Sequence, residues 1–66
     1  MAIAKVIEMT SESTKGFEDA IQQGIAGAAE TLHGIRSAWV KEQQVVVQDN
    51  KITAYRVDQK VTFVVD

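Results

Sequence analysis

The 66-residue sequence contains no cysteine and a single histidine, His33. A disulfide framework is impossible, and a cysteine-ligated zinc site is excluded. With one histidine, zinc of any kind would need several carboxylates as well. Charge of one sign is also lacking. Seven Lys and Arg stand against nine Asp and Glu, for a net charge of −2, and the two signs are interspersed. Without a basic stripe, nucleic acid is not an expected partner. No apolar run approaches the length of a membrane-spanning helix. The N-terminus has no basic region followed by an apolar signal core. A cytoplasmic protein with no membrane partner is the expectation. The chemistry of catalysis is equally sparse. There is no nucleophile elbow. No phosphate loop or dinucleotide fingerprint occurs, since Gly24 and Gly27 fall inside an expected helix rather than in a strand-to-helix turn. The carboxylates, from Glu8 to Asp66, are dispersed, and none builds a calcium loop. His33 reads as a surface or capping residue of the last helical turn. The sequence is read as that of a non-enzyme.

What is present is apolar patterning. Hydrophobic residues make up 45% of the chain, which separates it from disordered sequences. At this length residues 1–66 are expected to form one domain. Ordering such a chain costs on the order of 100 kcal/mol, and burial within one helix and a few strands barely offsets it. With no disulfide to help, oligomerisation is the expected source of stability.

The spacing predicts a helix over Ser13–Gly34. Phe17, Ala20, Ile21, Gly24, Ile25, Ala28 and Leu32 recur at three- and four-residue steps and share one face. Lys15, Glu18, Asp19, Gln22, Gln23, Glu30 and Thr31 share the other. Ser13 is the expected N-cap, Glu18 and Asp19 suit the positive end of the dipole, and Gly34 suits a positive-φ stop. Such a helix would be about 30 Å long. Gly24 and Gly27 inside it each cost about 1 kcal/mol relative to alanine. Either packing elsewhere offsets that cost, or another backbone approaches there.

Strands are expected at Ala2–Met9, Ile35–Val47 and Ile52–Val65. The second breaks its alternation, which a bulge around Glu42–Gln44 would explain. Gln48–Lys51 reads as a tight turn, making the last two strands an antiparallel hairpin. Tyr55, Val57, Val61, Phe63 and Val65 share one face of the third strand, interrupted by Gln59. The predicted class is α+β, in the order β-α-β-β, with a three-stranded antiparallel sheet against one helix. One helix covers one sheet face at most, so Trp39 or Tyr55 would be left for a partner to cover. From its chemistry alone, Trp39 is core, interface or a stacking platform for a planar ligand.

Several segments in this order resemble the dodecins. They are Lys5–Glu8, the helix opening Ser13–Ile21, Thr31–Arg36 running into the long strand, Asp49–Ile52 at the hairpin and Tyr55–Phe63. The resemblance spans essentially the whole chain without gaps. It implies a sheet wrapped around the helix and a hollow homododecamer of cubic 23 symmetry. It also implies flavin, riboflavin or FMN, held in stacked pairs between subunits for storage and quenching. In flavin-binding members a tryptophan just after the Arg36 position sandwiches the ring, and here that position is Ser37. A glutamine after the last-strand tyrosine bonds the ring edge, and here that position is Arg56. The acidic residue that meets the sugar-alcohol chain corresponds to Glu42. Trp39, about 7 Å beyond Ser37 on the same side of a regular strand, is a displaced stacking candidate. The candidate site is therefore Ser37, Trp39, Glu42 and Arg56. The alternative is a shell without a flavin site. It would serve as a structural assembly or hold a metal ion such as calcium, gathered by carboxylates of several chains, or a nucleotide-like anion. Arg56 would meet a phosphate, or pair with Glu42 or Asp58 and close the pocket.

Overall fold

The structure, a computed structural model, describes residues 3–65. Its elements are β1 (Ile3–Ser13), α1 (Phe17–Ala29), β2 (Ile35–Gln48) and β3 (Lys51–Val65). The sheet order is β1-β3-β2, and both pairings are antiparallel. The last strand in sequence is the central one. That suits its clean period of two, since both its edges must pair while one face is buried. α1 packs over β1 and β3. The covered face of β3 carries Tyr55, Val57, Gln59 and Val61, and Ala20 of the helix is fully buried together with Val57 and Val61. Phe17 meets Tyr55 edge-on, with ring centroids 5.2 Å apart, so Tyr55 is half-buried and not left for a partner. β2 is exposed along almost its whole length.

The boundaries of β1 and α1 differ from the expected ones. Ala2 lies outside the described residues. β1 continues past Met9 through Thr10, Ser11, Glu12 and Ser13, which pair with Asp58 through Tyr55. These polar residues extend the strand because β3 offers an open edge there and the helix accepts their side chains. Ser11 Oγ donates to the Ala20 carbonyl at 2.6 Å. Ser13 is not the N-cap. Its hydroxyl accepts from the Lys15 amide at 2.9 Å and donates to the Asp19 carboxylate, which ties the strand end to the first helical turn. Gly16 takes the N-cap position without a side-chain cap. The helix closes at Ala29, where the Thr31 and Leu32 amides both return to the Ala28 carbonyl. Thirteen residues give a helix of about 20 Å rather than 30. The strands of the hairpin are about 45–50 Å long, and the whole molecule measures 52 × 19 × 14 Å. The helix therefore covers less than half of the hairpin. No helix among the described residues is long and apolar enough to cross a membrane.

Gly34 has φ 75° and accepts from the Val64 amide through its carbonyl at 3.0 Å. Its φ is positive as expected, but it lies five residues beyond the helix end at Ala29, so it does not stop the helix and instead delivers the chain into β2. At the far end Asp49 and Asn50 both have positive φ, 53° and 63°, the signature of a two-residue I′ turn. The two helix glycines part company. A Cβ on Gly24 would stand 2.6 Å from Gln59 Nε2 and 2.9 Å from Ser11 Oγ, whereas one on Gly27 would meet nothing within 4 Å. Side chains, not a backbone, make the close approach at Gly24.

Candidate functional site on the outer face of the sheet

Among the described residues no layer covers the face of the sheet turned away from α1, and the candidate residues lie on it. Its central row is Arg56, Asp58, Lys60 and Thr62 of β3. On β2, Gln44 stands opposite Arg56, Glu42 opposite Asp58, Trp39 opposite Lys60 and Ser37 opposite Thr62. A register shift between Val40 and Glu42 leaves Lys41 without a partner of its own. The bulge is thus at Lys41, just before the expected Glu42–Gln44. It brings Trp39 and Glu42, three residues apart, onto neighbouring rungs of the same face. Regular alternation would have set them on opposite faces.

The structure brings Glu42 and Arg56 together and keeps Ser37 away from them. A hollow of about 320 Å³ is lined by Thr10, Glu42, Gln44, Arg56 and Asp58. Ser37 lies three rungs from Arg56, roughly 20 Å along the strand. Trp39 sits between, 66% exposed. The Lys60 ammonium lies over its ring at 5.5 Å from the centroid. Arg56 has neither Glu42 nor Asp58 as its partner. Its Nε and Nη2 donate to Glu12 Oε1 at 3.2 and 2.9 Å, because the extension of β1 places Glu12 directly opposite it. A sequence reading that ends β1 at Met9 has no access to this pair.

The same extension brings Thr10 opposite Asp58, and Glu8, within the strand already expected, lies diagonally across from that aspartate. Asp58 Oδ1 is buried without a conventional donor. Burial, and then the hydrogen bond and charge of Glu8, push the Asp58 carboxyl above its ordinary value. Glu8 is held low, first by the hydrogen bond from Asp58 and then by the charge and hydrogen bond of Lys41, which outweigh its own desolvation. The opposite directions are those of two adjacent carboxyls, of which Asp58 holds its proton to higher pH than Glu8. Lys41 Nζ reaches Glu8 at 3.5 Å across β3. Among the described residues, no group of three or more His, Asp or Glu side chains is placed to hold a metal ion. His33 is exposed beyond the helix end. On the covered side, Gln59 is fully buried. Its Nε2 donates to the Ile21 carbonyl at 3.3 Å, and its Oε1 has no partner.

A planar ligand needs a ring to lie on and polar groups at its margin. Ser37 offers no ring. Trp39 offers one on the open face, with Glu42 on the next rung and Arg56 on the one after. The residues present thus fit a planar ligand at Trp39 and not at Ser37.

Comparison with known proteins agrees with the architecture. The family model described as Dodecin matches residues 3–66. Dodecin from Streptomyces davaonensis is 31% identical, with a TM-score of 0.94 over 98% of this chain and 96% of that one. A point mutant of Thermus thermophilus dodecin is 29% identical, with a TM-score of 0.94 over 100% of this chain and 98% of that one. Dodecin from Streptomyces coelicolor, at 20% identity and a TM-score of 0.94 over 98% and 93%, shares the fold. No curated protein matches the sequence.

Proposed function

The chain belongs to the dodecin family, and from that premise we propose that it assembles as a hollow, cytoplasmic homododecamer of 23 symmetry. Its role is to bind and store a small planar ligand rather than to transform one. Flavin, as riboflavin or FMN, is the ligand the family suggests. The observation that carries this reading is Trp39. It is a large exposed ring on the one sheet face that no helix covers, with Glu42 and Arg56 on the following rungs. In this reading Trp39 stacks on the isoalloxazine, Glu42 accepts from the hydroxyls of the sugar-alcohol chain, and Arg56 borders the hollow. Ser37 admits the ligand edge without stacking on it. The bound flavin would bring its own photochemistry, which stacking on an indole suppresses. The role of the chain is to orient the ring and exclude water.

One observation favours a second reading. Arg56 already spends two donors on Glu12, so its guanidinium is only partly available to a ligand. A shell without a flavin site would then act as a structural assembly or hold another ligand. A nucleotide-like anion fits a residual Arg56 donor, whereas calcium would have to draw carboxylates from several subunits.

Titration of riboflavin fluorescence with the assembled protein separates the two. Saturable quenching that is lost in Trp39→Leu supports the flavin reading. An intact oligomer that leaves riboflavin fluorescence unchanged refutes it in favour of the second.

A further inference from the structure

Of Lys41, Arg56 and Lys60 around the candidate site, two are engaged. Lys41 lies 3.5 Å from Glu8, and Arg56 lies 2.9 Å from Glu12. Among the described residues, Lys60 forms no ion pair, and its ammonium lies over the Trp39 ring. The ladder explains the choice. Lys60 stands between Glu8 on β1 and Trp39 on β2. Glu8 already receives the Lys41 ammonium. The indole face is what remains, and its quadrupole attracts a cation.

That placement has a consequence for any ligand that stacks on this face of Trp39. The ligand ring must occupy the space over the indole and push the ammonium to its own margin. A neutral ligand gives up the cation–π contact and returns nothing for it. An anionic ligand meets the displaced ammonium with a charge of opposite sign. A lysine suits this role because its ammonium is a compact charge on a flexible stem, needing no fixed orientation. Building on the reading of Trp39 as a stacking platform, we propose that Lys60 makes this platform selective for planar aromatic anions over neutral planar ligands with the same ring. The charge can be on the ring or on its side chain, as in a ring bearing a phosphorylated tail.

Trp39 is the only tryptophan in the chain, so its fluorescence reports the platform alone. Iodide and acrylamide quenching are compared in assembled wild type and Lys60→Met. Iodide is expected to quench the wild type at least about twofold more strongly than the variant at low salt, with acrylamide quenching equal in both. FMN and riboflavin are then titrated against both proteins. Wild type is expected to prefer FMN by about threefold to fivefold, the size of one exposed ion pair. The preference should vanish in Lys60→Met and at high salt, survive in Lys60→Arg, and leave riboflavin affinity unchanged or increased. An equal FMN-to-riboflavin ratio in wild type and Lys60→Met overturns the selectivity while leaving the stacking platform intact. If neither flavin binds but iodide selectivity depends on Lys60, the flavin reading falls and the anion selectivity stands. Iodide and acrylamide quenching that are both insensitive to Lys60→Met overturn the proposal by themselves.

Discussion

At the scale of single residues, two neighbouring carboxyls of the outer face are shifted in opposite directions, Asp58 up and Glu8 down. A carboxyl whose pKa is raised on folding stabilises the fold in its protonated form. The contribution of Asp58 is therefore present below the ordinary aspartate range and is lost as pH rises through its raised value. Glu8 acts in the opposite sense: its contribution exists above the ordinary glutamate range and is lost in stronger acid. Asp58→Asn keeps a donor toward Glu8 and removes the group that must ionise. Its melting temperature should exceed that of wild type at neutral pH, with the difference shrinking toward acid. Thermal unfolding at a series of values from about pH 4 to about pH 8 measures this. Parallel curves for the two proteins would contradict the raised Asp58 carboxyl. The pair illustrates what the sequence left hidden. Glu8 and Asp58 are fifty residues apart, and neither has a motif around it. Only the register of β1 on β3 sets them diagonally across the ladder. Trp39 and Glu42, by contrast, were legible as candidates. The position of the bulge that unites them on one face was missed by a residue or more.

At the scale of elements, the period-two pattern of β3 and the tight turn at Asp49 and Asn50 were legible, because each depends on local chemistry. Gly34 was legible as a positive-φ residue but not as the stop of a helix that ends at Ala29. The helix start was not legible. Ser13 has the residue type of an N-cap, but strand pairing with Tyr55 claims its backbone and Asp19 claims its hydroxyl. Tertiary contacts overrode a local preference, and the helix lost more than two turns against the periodicity reading. Its two glycines now make separate predictions. Gly24→Ala forces a methyl onto Gln59, Ser11 and Met9, of which Gln59 is fully buried. It should destabilise the protein by about 1–3 kcal/mol. Gly27→Ala adds a methyl in open space within the protomer and should gain about 1 kcal/mol in helix propensity. Denaturant unfolding of both variants checks the contrast, and equal effects would contradict the packing described for Gly24.

At the scale of the whole molecule, the decisive fact is how little this chain buries. Among the described residues the fully buried apolar side chains are Ala20, Val57 and Val61, while Ile3, Val6, Trp39, Val47 and Ile52 are each more than half exposed. A helix of about 20 Å cannot shelter a hairpin more than twice as long. An exposed edge strand carrying valines and a tryptophan is an aggregation hazard unless another surface covers it. Closed symmetric assembly answers the burial deficit and the open edge together. The proposed dodecamer would have a mass of roughly 88 kDa, twelve times the 7.3 kDa of the chain. Light scattering at micromolar concentration should return that mass, and a stable monomer would overturn the assembly. Gly27 supplies a sharper test of the same idea. The space above it is open within one protomer, so Gly27→Trp is tolerable to an isolated chain. If a second protomer packs on that stretch of α1, the variant should scatter as smaller species while keeping its far-UV circular dichroism. An unchanged mass would place the subunit contacts elsewhere, on the uncovered sheet and the far end of the hairpin.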